Sequence, residues 1–191
     1  KVPCISVNQD QNVKFILDKL AKKQKTAINY ISTKYSEEYS SPLLGHHQRQ
    51  NILLAVNAAQ IITNIDSQHI TEGIKTTTWP GRVEVVNKLP TVIFDVCHND
   101  DSIIAFCNTI KSFNHTGQKI LIISIQRTKL FENAISQINS IFSKIIFTQL
   151  NERMYTAEDL QTLFHEHNNT QIITKPNKAI IRTLNTINDS D

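Results

Sequence analysis

The sequence predicts an α/β protein in two units, the second organised on a mostly parallel sheet. Two patterns carry that expectation. From residue 91 onward, short apolar runs alternate four times with stretches of helical period, and strands that alternate with helices assemble into parallel sheets covered on both faces. Upstream, a strand, a helix and a second strand lead into two further helices, and the segment 76–99, TTTWPGRVEVVNKLPTVIFDVCHN, stands between the two runs with its turn residues.

Residues 2–7 alternate loosely between apolar and small side chains and read as a strand. Val13, Ile16, Leu17 and Leu20 recur at helical spacing, so a helix covers 12–23. A second short strand covers 26–31, and the Ser-rich stretch 32–41 before Pro42 reads as a loop or exposed hairpin. HHQRQNILLAVNAAQIIT at 46–63 is apolar almost all round in its second half, which predicts a helix buried in a core with its polar residues at the front. Asp66 or Ser67 caps the next helix, which runs to Ile74 with Gly73 at its end. A turn at Trp79, Pro80, Gly81 and Arg82 then leads into a short strand pair, and the boundary falls within 86–90, giving units 1–87 and 88–191.

The second unit reads as strand 91–95, helix 101–112, strand 119–125, helix 130–142, strand 144–148, helix 157–165, strand 171–174 and helix 177–187. Thr156 followed by Glu158 and Asp159 supplies a cap and first-turn acids for the third of these helices.

Composition narrows the classes. Lys and Arg exceed Asp and Glu by 20 − 17 = 3, and the basic residues are scattered rather than striped, so nucleic acid is not the expected partner. Cys4, Cys97 and Cys107 are odd in number and lack CxxC spacing, which suits a reducing cytoplasm and no metal cluster. No apolar run reaches the roughly 18 residues of a membrane span. The chain begins at Lys1 and its one methionine is Met154, so it is expected to be a piece of something longer.

The chemistry is expected at the carboxyl edge of the strand VIFD. Asp95 ends that strand, and ligands of open α/β sheets bind outside the carboxyl ends of strands. A carboxylate there can accept both hydroxyls of a ribose; the alternative is a cap for the next helix. His98 can donate to phosphate or titrate near neutrality. Arg82, on a turn stiffened by Pro80, offers a fixed guanidinium fork suited to phosphate, or else a surface ion pair. Gln48 and Asn51 share one side of a helix front, where an amide can match an adenine edge or satisfy loop carbonyls. His165 and His167 have poor metal spacing. The phosphate loop GxxxxGK[ST] is absent from these residues.

LLGHHQRQN, GIKTTTWPGRVEVV and VIFDVCHN, in this order, resemble the LLGxHQxxNA, WPGRxE and DGAHNP patterns of the folylpolyglutamate synthase and dihydrofolate synthase branch of the Mur ligase superfamily. VPCISVNQ and NERMYTAEDL extend the likeness over nearly the whole chain. The resemblance implies that 1–87 is the carboxyl-terminal part of a Mur-type central ATPase domain. Residues 88–191 are then the Rossmann-like carboxyl-terminal domain, lacking its last strand.

It implies an ATP-dependent ligase that phosphorylates a folate or dihydropteroate carboxylate and joins L-glutamate to it, with Mg²⁺ held mainly by upstream residues. Asn51 then corresponds to an adenine contact, Arg82 to a phosphate contact, Asp95 to the ribose aspartate and His98 to the catalytic histidine near the phosphates. A monomer with small-molecule partners is implied, inactive as this piece alone. The alternatives are a Mur-type ligase for another amino acid and a non-catalytic nucleotide-binding or interaction paralogue.

Val96 and Cys97 stand where the pattern has Gly-Ala, Asp100 where it has proline, and SIQRTK at 124–129 where it has an acidic loop. Asp100 is expected to place a negative charge beside the phosphate site.

Overall fold

The computed structural model describes residues 2–32, 39–62, 65–114 and 117–187. The chain divides into two compact units, Lys1–Trp79 and Pro80–Asp191. The break falls upstream of the expected 87/88 boundary because the WPGR turn is bonded to the segment after the following hairpin: Val96 N–H donates to the Gly81 carbonyl at 3.0 Å. That bond draws residues 80–87 into the second unit.

In the first unit β1 (Cys4–Val7) and β2 (Ile28–Ile31) pair in parallel, with Cys4 opposite Ile28 and Val7 opposite Ile31. A parallel pair needs a crossover, and α1 (Gln11–Lys23) supplies it. α2 (His46–Ile62) and α3 (Ser67–Lys75) follow, and Ile52, Val56 and Ile70 form a small core with Tyr39 and Ile74 packed on it. The expected burial of the second half of α2 is not found: Ile61 and Ile62 are exposed, Ile62 by 80%, and the buried positions are Gln48, Ile52 and Val56. The 17 residues of α2 turn several times past a core this narrow, so only one stripe is covered. Gly73 also does not end α3. The helix runs on to Lys75, because the Thr76 and Thr77 hydroxyls accommodate the last turn by bonding the Glu72 and Gly73 carbonyls. Most of the expected 32–41 loop and the end of the 46–63 helix lie outside the described residues.

The second unit opens with β3 (Glu84–Lys88) and β4 (Thr91–Phe94), antiparallel around Leu89 and a cis-Pro90, with a bulge between Val85 and Asn87. The strand expected to begin the parallel series therefore pairs with its sequence neighbour instead, since a two-residue connection permits only antiparallel pairing. The parallel sheet has the order β5 (Ile120–Ile123), β6 (Lys144–Phe147), β7 (Thr170–Ile172).

Side-chain alternation along β6 explains how both faces are covered. Ile145 and Phe147 enter the main core with Ile103 and Cys107 of α4 (Asp100–Ser112), Ile138 of α5 (Ile135–Ile141) and Leu160 of α6 (Ala157–Leu163). Ile146 points the other way, onto Ala179 of α7 (Pro176–Leu184). The expected helix 130–142 begins as a short 3₁₀ turn, Glu132–Ala134, before α5. The expected helix 177–187 starts one residue early, at Pro176, where a missing N–H costs nothing.

Candidate functional site

The segment 79–84 is a turn of unusual backbone. Gly81 has φ of 73° and Val83 of 48°, both left-handed, and Val83 is 2% exposed. A Cβ on Gly81 would lie 2.8 Å from Val96 Cγ1, so only glycine fits. A valine in this region is strained by its branched Cβ and persists because its surroundings fix it. Asp95 is the main fixture: Oδ2 accepts from Val83 N at 2.8 Å and Oδ1 accepts from Cys97 N at 2.7 Å. One carboxylate thus ties the turn to the carboxyl end of β4. Between Gly81 and Val83, Arg82 is half-buried, and its guanidinium has no hydrogen-bond or ion-pair partner among the described residues.

Beyond Asp95 the chain turns into α4. Asn99 caps the helix: its Oδ1 accepts from Ser102 N at 3.0 Å, and the Ser102 hydroxyl receives Asn99 N at 3.1 Å, a reciprocal capping box. Asp95 is therefore not the cap. His98 is exposed, and its Nδ1 lies 3.1 Å from the Val96 carbonyl. A carbonyl only accepts, so Nδ1 carries a proton and Nε2 can donate only when the ring is an imidazolium. Cys97 is half-buried, and its thiol is pushed well above the ordinary thiol range, first by burial and then by the charge and hydrogen bond of Asp95. Both causes disfavour the thiolate, which is the nucleophilic form.

Asp100 does not stand as a free charge, contrary to expectation. Its Oδ1 accepts from Ala134 N at 3.1 Å and its Oδ2 from the Asn133 amide at 2.9 Å, while Asp100 N donates to Leu130 O. It pins the start of α4 to the segment before α5, a role proline could not fill. The 124–129 loop is likewise tied down: Arg127 Nε donates to Met154 O at 3.0 Å, its guanidinium reaches Asp159 at 4.0 Å, and Gln126 bridges to Met154.

In the first unit, Gly45 (φ 107°) turns the chain into α2. Gln48, 5% exposed, accepts from Asn51 Nδ2 at 3.0 Å and contacts His47 Nε2 at 3.0 Å. Asn51 is exposed and keeps its Oδ1 and one amide hydrogen. Arg82, Asp95 and His98 are thus brought together within the second unit, and Asn51 belongs to the first. No group of three His, Cys, Asp or Glu among the described residues could hold a metal ion.

Two residues of the second-unit cluster are not among the expected site residues, although Glu84 is the acid of the WPGRxE pattern. Glu84 Oε2 accepts from Gly81 N at 2.8 Å, and Ser102 closes the cap next to His98. The acid two places after Arg82 was visible in sequence, but nothing there said that it faces backbone rather than arginine.

A family profile described as Mur ligase, glutamate ligase domain, matches residues 81–191. A Bacillus subtilis protein named dihydrofolate synthase/folylpolyglutamate synthase is 29% identical over 130 residues, which is 65% of this chain and 30% of that protein. Among solved structures, Mycobacterium tuberculosis folylpolyglutamate synthase complexed with ADP superposes with a TM-score of 0.85 at 19% identity, covering 95% of this chain and 47% of that one. Escherichia coli FolC in complex with DHPP and ADP superposes with a TM-score of 0.82 at 18% identity, covering 98% and 48%. The chain spans about half the length of these structures and less of the curated relative. With more than half its residues under one profile and the fold shared throughout, the chain belongs to the Mur ligase family and carries its glutamate ligase domain from Gly81 onward.

Proposed function

We propose that this chain is the carboxyl-terminal half of an ATP-dependent ligase that joins L-glutamate to a folate or dihydropteroate carboxylate through an acyl phosphate. The observation that carries the reading is Arg82, a guanidinium without a partner among the described residues, held on a strained turn by the carboxylate of Asp95. A fixed, unneutralised fork suits phosphate. Relatives named for folate ligation and neighbours titled with ADP support the same assignment.

Each proposed contact has a defined capacity. Asp95 uses one lone-pair site of each oxygen on backbone N–H and one more on the Cys97 thiol, which leaves a site for a ribose hydroxyl. Asn51 keeps one donor and one acceptor for an adenine edge. His98 Nε2 donates to a phosphate oxygen in the imidazolium state, beside the reacting group. Mg²⁺, when bound, would neutralise charge on the transferring phosphate, with its ligands mainly in an upstream segment.

We place the protein in the cytoplasm, in keeping with three free cysteines, as a monomer with small-molecule partners. No helix among the described residues is long and apolar enough to cross a membrane. The test joins this chain to its upstream coding segment and measures ADP release. Release that requires both a folate and glutamate is expected, and its absence sinks the proposal. The chain alone should not turn over, and its weak nucleotide binding in calorimetry should vanish in Asp95→Ala.

A further inference from the structure

Glu84 lies two residues beyond Arg82, where an acid would ordinarily be taken for the arginine's ion-pair partner. It is not one among the described residues: its Oε2 instead accepts from Gly81 N at 2.8 Å. Asp95 holds Val83 N on the other side of Arg82 at the same distance. Two carboxylates therefore clamp the backbone on either side of one arginine and neutralise neither its charge nor its reach. The clamped residues are the two left-handed ones, Gly81 at 73° and Val83 at 48°. Such a turn, with a branched residue in a disfavoured region, needs external bonds to hold it. A carboxylate on an N–H is the short, charge-assisted kind of bond.

We propose that Glu84 is a positioning residue that fixes the Gly81–Val83 turn so that Arg82 is presented to an anionic ligand. The ligand class is a nucleoside polyphosphate, which rests on the function proposed above. Glu84 itself touches no ligand. It acts by removing the freedom of the turn, so its loss shows in binding through Arg82 rather than in the chemical step.

The test uses the full-length polypeptide, with ADP release measured against ATP concentration. Arg82→Ala comes first and is expected to raise KM for ATP about tenfold or more, as loss of a charged contact does. If it changes nothing, the phosphate reading of Arg82 fails and takes this proposal with it. If Arg82→Ala is impaired and Glu84→Ala is normal, the proposal alone is overturned.

The expected result is that Glu84→Ala raises KM for ATP about tenfold with kcat within about twofold, while Glu84→Gln, which keeps an acceptor oxygen for Gly81, recovers most of the loss. In an Arg82→Ala background Glu84→Ala should add nothing; an additive effect would show that it acts elsewhere. Should Glu84→Ala fail to fold, Glu84→Asp, one methylene short of the Gly81 amide, reads the same outcomes.

Discussion

At the scale of single residues, the turn before β3 is the most demanding place in the chain. Gly81→Ala must accept both a φ of 73° and a contact of 2.8 Å with Val96 Cγ1. We expect a loss of roughly 2–4 kcal/mol from strain and overpacking together, read as a shift in urea midpoint. His98 is tested by removal instead. Its Nδ1 is committed to the Val96 carbonyl, so the ring is held at the end of the Asp95 strand, and His98→Ala should weaken nucleotide binding in calorimetry.

The cysteines give an independent check of burial. Burial pushes the Cys107 thiol up to about 11, with Lys111 opposing weakly, and Cys97 is raised further still. Cys4 is exposed, so alkylation at pH 8 followed by mass spectrometry should label Cys4 readily and the other two only after unfolding. For Cys107 the folded state keeps its proton longer than the unfolded one. That stabilisation is complete below the ordinary thiol range and is lost as pH rises toward about 11.

At the scale of elements, α4 is the piece that joins core and site. Its buried face, Ile103, Cys107 and Ile110, enters the main core, and its first turn follows directly on Asp95 and His98. Asn99→Ala removes the side-chain half of the capping box and should cost about 1 kcal/mol in chemical denaturation. Asp100→Pro restores the residue type of the resembled pattern, yet here it deletes the bonds to Asn133, Ala134 and Leu130. It should therefore destabilise this chain rather than improve it, by an amount comparable to losing a charge-assisted hydrogen bond, about 1.5–3 kcal/mol. A rise in the urea midpoint would contradict that. β3 and β4 show the opposite lesson. Apolar strand VIFD looked like the first strand of the parallel sheet, but a two-residue connection to β3 decided its partner.

At the scale of the whole molecule the apolar core is unevenly shared. The main cluster, in which the Phe164 ring meets both Phe131 and Phe147, lies wholly within Pro80–Asp191, whereas the first unit's cluster among the described residues rests on three buried apolar side chains, Ile52, Val56 and Ile70. Residues 80–191 expressed alone should melt cooperatively in calorimetry. Residues 1–79 alone should not, because Phe15, Ile16 and Leu20 of α1 stay exposed. Sequence by itself determined the alternation of strands and helices in the second unit, since each helix must cover a strand whose neighbours are equally apolar. It also determined which polar residues end β4, because residue type and place at a strand's carboxyl edge are local facts. Tertiary structure decided what those residues face. Glu84 turns to Gly81 rather than to Arg82, Asp100 to Asn133 rather than outward, and Asp95 to the backbone N–H groups of Val83 and Cys97. The physical reason is that a carboxylate's partner is set by hydrogen-bond geometry across a fold, which hydrophobic period does not encode.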